Sequence, residues 1–410
     1  MKFVRIGALG LAAMLALSAC GQSAASPPAD PLGVVTVPAG EAIKVAYWGV
    51  LSGAYSTLGI DSQRGVEIAI DDREGKLLDH DIQLITEDGL CTPEGGATAA
   101  QKLAADTTLV ALIGSACSDE TQGGIKTLTD AGLTTLSPSN TRPAFTFEDR
   151  DATFDGYART AHSDAFQGKA VAEFLYNEQG LRTAATIHDG SAYAEALQQV
   201  FTDEFIALGG EVLLQEAVSK GQTDMKPVLT SVAAANPDVL YFPVFIAEGG
   251  YIAAQAKEVA GLEDTLLIGS DGMFSPDFIT AAGPAAEGMY LSSPNFSAFQ
   301  DAYASFLDKH RTKYGEDPLS AFHAHAYDAA NIVFDAIEAV AIQNDDGSIH
   351  IPKQALRDAI FATSDHQGLT GVLSCSPTGD CGAPLIAVYQ VTSRETGGEW
   401  PPEAPVWPTE

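Results

Sequence analysis

The feature that most limits the folds open to this chain is a strand–helix alternation that runs, stops and runs again. IKVAYWGVL (43–51) is an apolar run of strand length, and a helix carrying Val66, Ile68, Ala69 and Ile70 follows it. IQLITED (82–88), LVALIGS (109–115) and LTTLSPS (133–139) repeat the strand signal, with helices expected around 95–105 and 119–131. Apolar runs of this length, separated by helices, predict parallel strands covered on both faces. The rhythm restarts with a helix over 164–179, the strand TAATIHDG (183–190), and a helix over 193–208 stopped by Gly209-Gly210. EVLLQEAV (211–218), VLYFPVF (239–245), TLLIGSD (265–271) and GMYLSSP (288–294) continue it, with helices near 224–235 and 247–260 between them. Long helices over 298–314 and 319–342 and a late strand, LIAVYQVT (385–392), close the series. The expected fold class is α/β, with two doubly wound parallel-sheet lobes rather than one. A length of 410 residues suits two lobes of ordinary size.

The N-terminus is a targeting signal. Lys2 and Arg5 precede an apolar or small run from Ile6 to Ala19, too short for a membrane-spanning helix of about 20 residues. The run ends in Leu17-Ser18-Ala19-Cys20 and resembles the lipobox of bacterial lipoproteins. That resemblance implies a signal peptide over 1–19, cleavage before Cys20, and lipid on its sulfur and new N-terminus, which together hold a protein firmly on a membrane. Residues 20–41, rich in Ser, Ala, Pro and Gly, read as a flexible tether. The expected location is extracytoplasmic, anchored to the periplasmic or cell-surface side. Fifty-four acidic residues against 22 basic ones give a net charge of −32, which repels phosphate backbones and argues against a nucleic-acid partner.

Four cysteines remain besides Cys20: Cys91, Cys117, Cys375 and Cys381. An exported chain can keep disulfides, and three connectivities are open, of which local pairing is the simplest. No paired C-x-x-C motif supports a metal reading.

In doubly wound sheets, ligands sit at the carboxyl ends of strands. The loops there read LSGAYSTLG, GSACSDET, SPSNTRP, HDGSAY, FPVFIAEG and GSDGMF. In that order they resemble the branched-chain amino acid-binding family, with its type I two-lobed periplasmic binding fold. The matches run from Val50-Leu51-Ser52-Gly53-Ala54-Tyr55, through Ile113-Gly114-Ser115-Ala116-Cys117-Ser118, Ser137-Pro138-Ser139-Asn140-Thr141 and His188-Asp189, to Gly269-Ser270-Asp271-Gly272. The resemblance spans about 42–395. It implies a hinge of three crossings near 160, 294 and 370, one lobe of 42–160 and 294–370, another of 161–293 and 371–400, and a tail over 401–410. It implies the Cys91–Cys117 bridge, delivery of a solute to the permease of an ABC importer, and a monomer.

A free amino acid needs donors for its carboxylate, acceptors for its ammonium and apolar surface for its side chain. Ser118 stands where a strand passes into a helix, so backbone N–H groups there can hold an anion, although Ser is also a common helix cap. The resemblance adds Ser115, Ser139 and Thr141 as carboxylate and ammonium contacts. Asp271 ends an apolar strand and is the expected ammonium acceptor, against a plain turn-forming role. Tyr55 and Tyr193 are expected to wall the pocket, with Phe245 where the family often has Tyr. Asp119 and Glu120 depart from the family's small residues. They suit the dipole of their own helix, and if they faced the pocket they would favour a neutral amide or a cationic ligand.

Other classes fare worse. The chain has no G-x-S-x-G elbow, no H-E-x-x-H, no Walker A loop and no G-x-G-x-x-G after a strand. No catalytic residue, metal ligand or cofactor is therefore expected. His323 and His325 are two apart on a helix and face different ways. His188 with Asp189 has no nucleophile beside it. Binding of an amide or other solute, or a ligand-sensing receptor domain, is the alternative within the same fold.

Overall fold

The computed structural model describes residues 27–408. The expected signal peptide and Cys20 lie outside them. Two six-stranded sheets organise the chain. The first runs, in spatial order, Lys76–Leu77, His80–Asp88, Ile43–Gly49, Leu109–Gly114, Thr135–Ser137 and Tyr157–Arg159. The second runs Ile386–Gln390, Tyr290–Pro294, Leu266–Gly269, Val239–Tyr241, Thr183–His188 and Glu211–Ala217. Pairing is parallel except at Lys76–Leu77 and Ile386–Gln390. Central strands such as Leu109–Gly114 are buried at every residue, which is why they read as unbroken apolar runs.

Both sheets share one order. Leaving the two antiparallel edge strands aside, the second strand in sequence lies beside the first, and the third, fourth and fifth follow in turn on the first strand's other side. In such sheets the order reverses between the first and third strands, and the crevice at their carboxyl ends is where ligands bind. For the first sheet that place falls after Gly49 and Gly114. For the second it falls after His188 and Tyr241. The chain passes between the sheets after Arg159, after Pro294 and between Leu373 and Ile386. At the third passage the short loop closed by the Cys375–Cys381 disulfide lies against Arg159, whose Nη2 meets Asp380 Oδ2 at 2.8 Å.

One segment departs from expectation. Val34–Val37, assigned to the tether, is a strand pairing antiparallel with Ile349–Pro352. Val35 and Val37 are buried, and the Asp30 carboxylate accepts the Gln354 N–H at 3.0 Å at the start of helix Lys353–Phe361. The alternating VVTV pattern supplies the inward face, so the tether is shorter than its composition implied. The tail is also fixed: Val388 N donates to the Trp407 carbonyl at 2.8 Å, and the Trp407 ring packs 6.2 Å from Phe174.

The helices that carry the crevice loops pack almost backbone to backbone. Helices Pro93–Ala105 and Ser118–Asp130 cross at small residues, and a Cβ on Gly123 would lie 2.0 Å from the Pro93 carbonyl oxygen. The Cys91–Cys117 disulfide ties the same two helix starts together. Gly123→Ala is expected to cost about 1–3 kcal/mol by overpacking, read as a lowered urea midpoint. Replacing Cys91 and Cys117 together by Ser is expected to cost about 3–4 kcal/mol in the same assay.

Candidate functional site

The turn from strand Leu109–Gly114 into helix Ser118–Asp130 is built around Glu120. Its buried carboxylate accepts the N–H groups of Cys91 at 2.9 Å, Cys117 at 2.9 Å and Ala116 at 3.1 Å. Beneath it, the Ser115 hydroxyl donates to the Cys117 carbonyl at 2.8 Å and also meets Thr121. With Ala116, Cys117 and Glu120 tied down, Ser118 presents the first turn of its helix to the crevice. The N–H groups of a first turn have no partner within their helix, so this corner offers donors and a positive dipole end.

Across the crevice, Asp271 follows the second sheet's strand Leu266–Gly269. One of its oxygens accepts from Gln167 Nε2 at 3.1 Å, from the Gly272 N–H at 3.0 Å and from the Tyr193 hydroxyl. Tyr193 is held in turn by Ser270 Oγ at 2.6 Å. The other Asp271 oxygen has no hydrogen-bond donor among the described residues, His162 Nε2 standing 3.9 Å away. Burial, then the charge of Asp271, push the carboxyl of Asp164 well above the ordinary range. Burial also holds the neighbouring His162 below its usual value, which leaves that imidazole neutral. Two buried acids thus share this floor.

Between these walls lies a narrow cavity of about 10 Å³, the room of a single water molecule. Ser118, Ser139, Tyr193, Phe245 and Asp271, all expected from the sequence, line it together. Leu58 and Phe322 add apolar surface that sequence reasoning missed. Phe322 sits in AFHAHAYDAA, where the histidines drew attention; His323 instead bonds Asp61 Oδ2 at 2.9 Å through Nδ1. Three expected contacts stand elsewhere. Ser115 is spent inside its own loop. The Thr141 hydroxyl donates to Asp164 Oδ2 at 2.9 Å and does not line the cavity. Tyr55 lies behind Phe245, their ring centres 5.2 Å apart, and donates to Glu248 Oε1 at 2.9 Å. Asp119 does not face the cavity either. It reaches the other lobe, where its Oδ1 accepts the Ala192 N–H at 2.9 Å, so the repulsion it would impose on a ligand carboxylate is answered by donors.

A narrow cavity between two lobes, with helix-end donors facing a carboxylate and aromatic rings between, is the arrangement of a solute-binding cleft. The chain belongs to the periplasmic binding protein family, whose model matches residues 42–372. It is 27% identical to the Leu/Ile/Val-binding protein of Escherichia coli over 311 residues, 75% of this chain and 81% of that one. A branched-chain amino acid transporter substrate-binding protein of Streptococcus pneumoniae, solved with isoleucine, superposes with a TM-score of 0.76 at 24% identity, over 89% of this chain and 98% of that one. A solute-binding protein of an ABC transporter from R. palustris, solved with benzoate, gives 0.75 at 21% identity, over 89% and 96%.

Glu120 also makes a pH signature. Burial raises its carboxyl from 4.5 to about 7, against the pull of its three N–H donors. Asp328, buried under similar bonds to Leu369 and Thr370, is raised to about 6. An acid that holds its proton more tightly when folded contributes fully below its unfolded value and loses that contribution as pH rises through its folded one. The contribution of these two acids is therefore expected to fall from about pH 5 to 7, while His162 and His325, held low by burial, act in the opposite sense. Glu120→Gln should gain stability relative to the wild type as pH rises through that range, measured by urea titrations at each pH.

Proposed function

We propose that this chain is the extracytoplasmic solute-binding component of an ABC importer. It takes a small zwitterion of the branched-chain amino acid kind between its lobes and delivers it to the permease. The observation that carries this reading is the facing pair of Asp271 and the helix start at Ser118 across one cavity. An ammonium supplies the partner that the second Asp271 oxygen lacks, and a carboxylate suits the start of helix Ser118–Asp130 opposite. Leu58, Phe245 and Phe322 suit an apolar side chain. The name of the Leu/Ile/Val-binding relative agrees with such a ligand. No helix among the described residues is long and apolar enough to cross a membrane, which suits a chain tethered through lipid on Cys20.

Calorimetry on residues 21–410 with L-leucine, L-isoleucine, L-valine, 4-methylpentanoate and benzoate tests the ligand class. Amino acids are expected to bind, the des-amino acid much more weakly, and Asp271→Asn to weaken amino-acid binding roughly 10–100-fold through loss of a charge-assisted contact. Benzoate binding with no response to amino acids would overturn the zwitterion. Cys20→Ser is expected to move the protein from the membrane fraction to the soluble one, and lipid-derived mass on Cys20 should disappear with it.

A further inference from the structure

Two contacts join the lobes without taking part in the cavity. Asp119 is in the first turn of its own helix, but its N–H partner is Ala192, the first residue of helix Ala192–Ala207 on the opposite lobe. Its second oxygen meets Lys220 Nζ at 2.5 Å, and the same ammonium donates to the Cys91 carbonyl at 3.0 Å. An acid serving only its own helix dipole would stay at that helix; here Glu120 takes the local N–H groups and frees Asp119 to cross. The second contact lies beside the first. The Tyr55 hydroxyl reaches both Glu248 oxygens, at 2.9 and 3.0 Å, and Glu248 Oε1 also accepts the Gly221 N–H at 2.7 Å. Lys220 and Gly221 are consecutive, so one short loop serves both contacts. Lys220 Nζ also stands 5.7 Å from the centre of the Phe245 ring, which backs the cavity.

We infer that Asp119–Lys220 and Tyr55–Glu248 form an interlobe clasp that closes the cleft before any ligand arrives. The bonds are made of protein on both sides, so they favour the closed form whether or not the cavity is filled. The empty protein then holds a standing closed population, and the apparent affinity for a ligand that binds the closed form scales with that population. Lys220 is a positioning residue in this scheme: it does not line the cavity and acts through the lobes it joins. With Lys220 and Asp119 side chains 28% and 10% exposed, the ion pair is open enough for salt to weaken it.

The inference rests on the closing binder proposed above, yet its test needs no ligand. Residues 21–410 are stripped of ligand by unfolding and refolding with disulfides intact. The radius of gyration is measured by small-angle scattering, and exchange of the Ala192 amide by NMR. Lys220→Met is expected to raise the radius and speed Ala192 exchange, with the closed-to-open ratio falling about 2–5-fold, the range of a partly exposed ion pair. Asp119→Asn should do the same, and the double variant should add little to either single one. One molar NaCl should move the wild type in the same direction, an independent reading should a variant fold poorly. Lys226→Met, which removes a pair with Glu258 inside one lobe, should change neither. An empty wild type as open as Lys220→Met, and insensitive to salt, would overturn the clasp whatever ligand the cavity takes.

Discussion

A buried carboxylate with three backbone donors sets the geometry on which the rest of this molecule depends. Removing a charge from water is expensive unless hydrogen bonds replace the lost hydration, and Glu120 recovers them from Cys91, Ala116 and Cys117. Those three residues come from two loops that the disulfide also joins. Polar and covalent ties therefore act on one corner, and the helix behind it has little freedom to tilt because its glycines press against the neighbouring backbone. Only with the corner fixed do consecutive residues take separate duties. Ser118 faces the cavity while Asp119 faces the other lobe.

Much of the architecture was legible because parallel strands are buried on both sides and leave an apolar run that needs no periodicity. The restart after residue 160 was enough to separate two sheets. What escaped was short or atypical. Tyr157–Arg159 has three residues, too few to show a pattern, yet it completes the first sheet. Val34–Val37 was obscured by its Pro- and Gly-rich flanks. In the site, residues at strand ends were found by position: Ser118, Ser139, Tyr193, Phe245 and Asp271 come together. Direction was harder. Ser115 and Ser118 are three apart in one loop, and nothing in their spacing says which hydroxyl turns inward. Thr141 was drawn away by Asp164, a partner 23 residues distant that only the tertiary structure brings near.

The acidity of the chain takes on a local meaning at the cleft. A net charge of −32 reads from sequence as a property of the surface. Yet Asp271, Asp164, Asp119 and Glu248 are all buried at or beside the junction of the lobes. Each has found hydrogen-bond donors, and Lys220 supplies the cation at Asp119. Among the described residues the floor under Asp271 has no such cation of its own, since burial leaves His162 neutral and Arg159 is already engaged with Asp380. The cleft is thus electrostatically unfinished on one side only, and that asymmetry gives a solute with a positive end a preferred orientation.

The strand at Val34–Val37 also bears on how far the folded body can stand from a bilayer. With that strand seated against Ile349–Pro352 and the Asp30 carboxylate bonded to Gln354, no more than nine residues lie between Cys20 and the first fixed point of the body, a contour of about 30 Å at full stretch. On the anchoring proposed above, that leash would be about as long as the hydrocarbon core of one membrane is thick. A body held so closely would search a thin shell above the membrane, and its encounters with an embedded permease would be those of neighbours at high effective concentration.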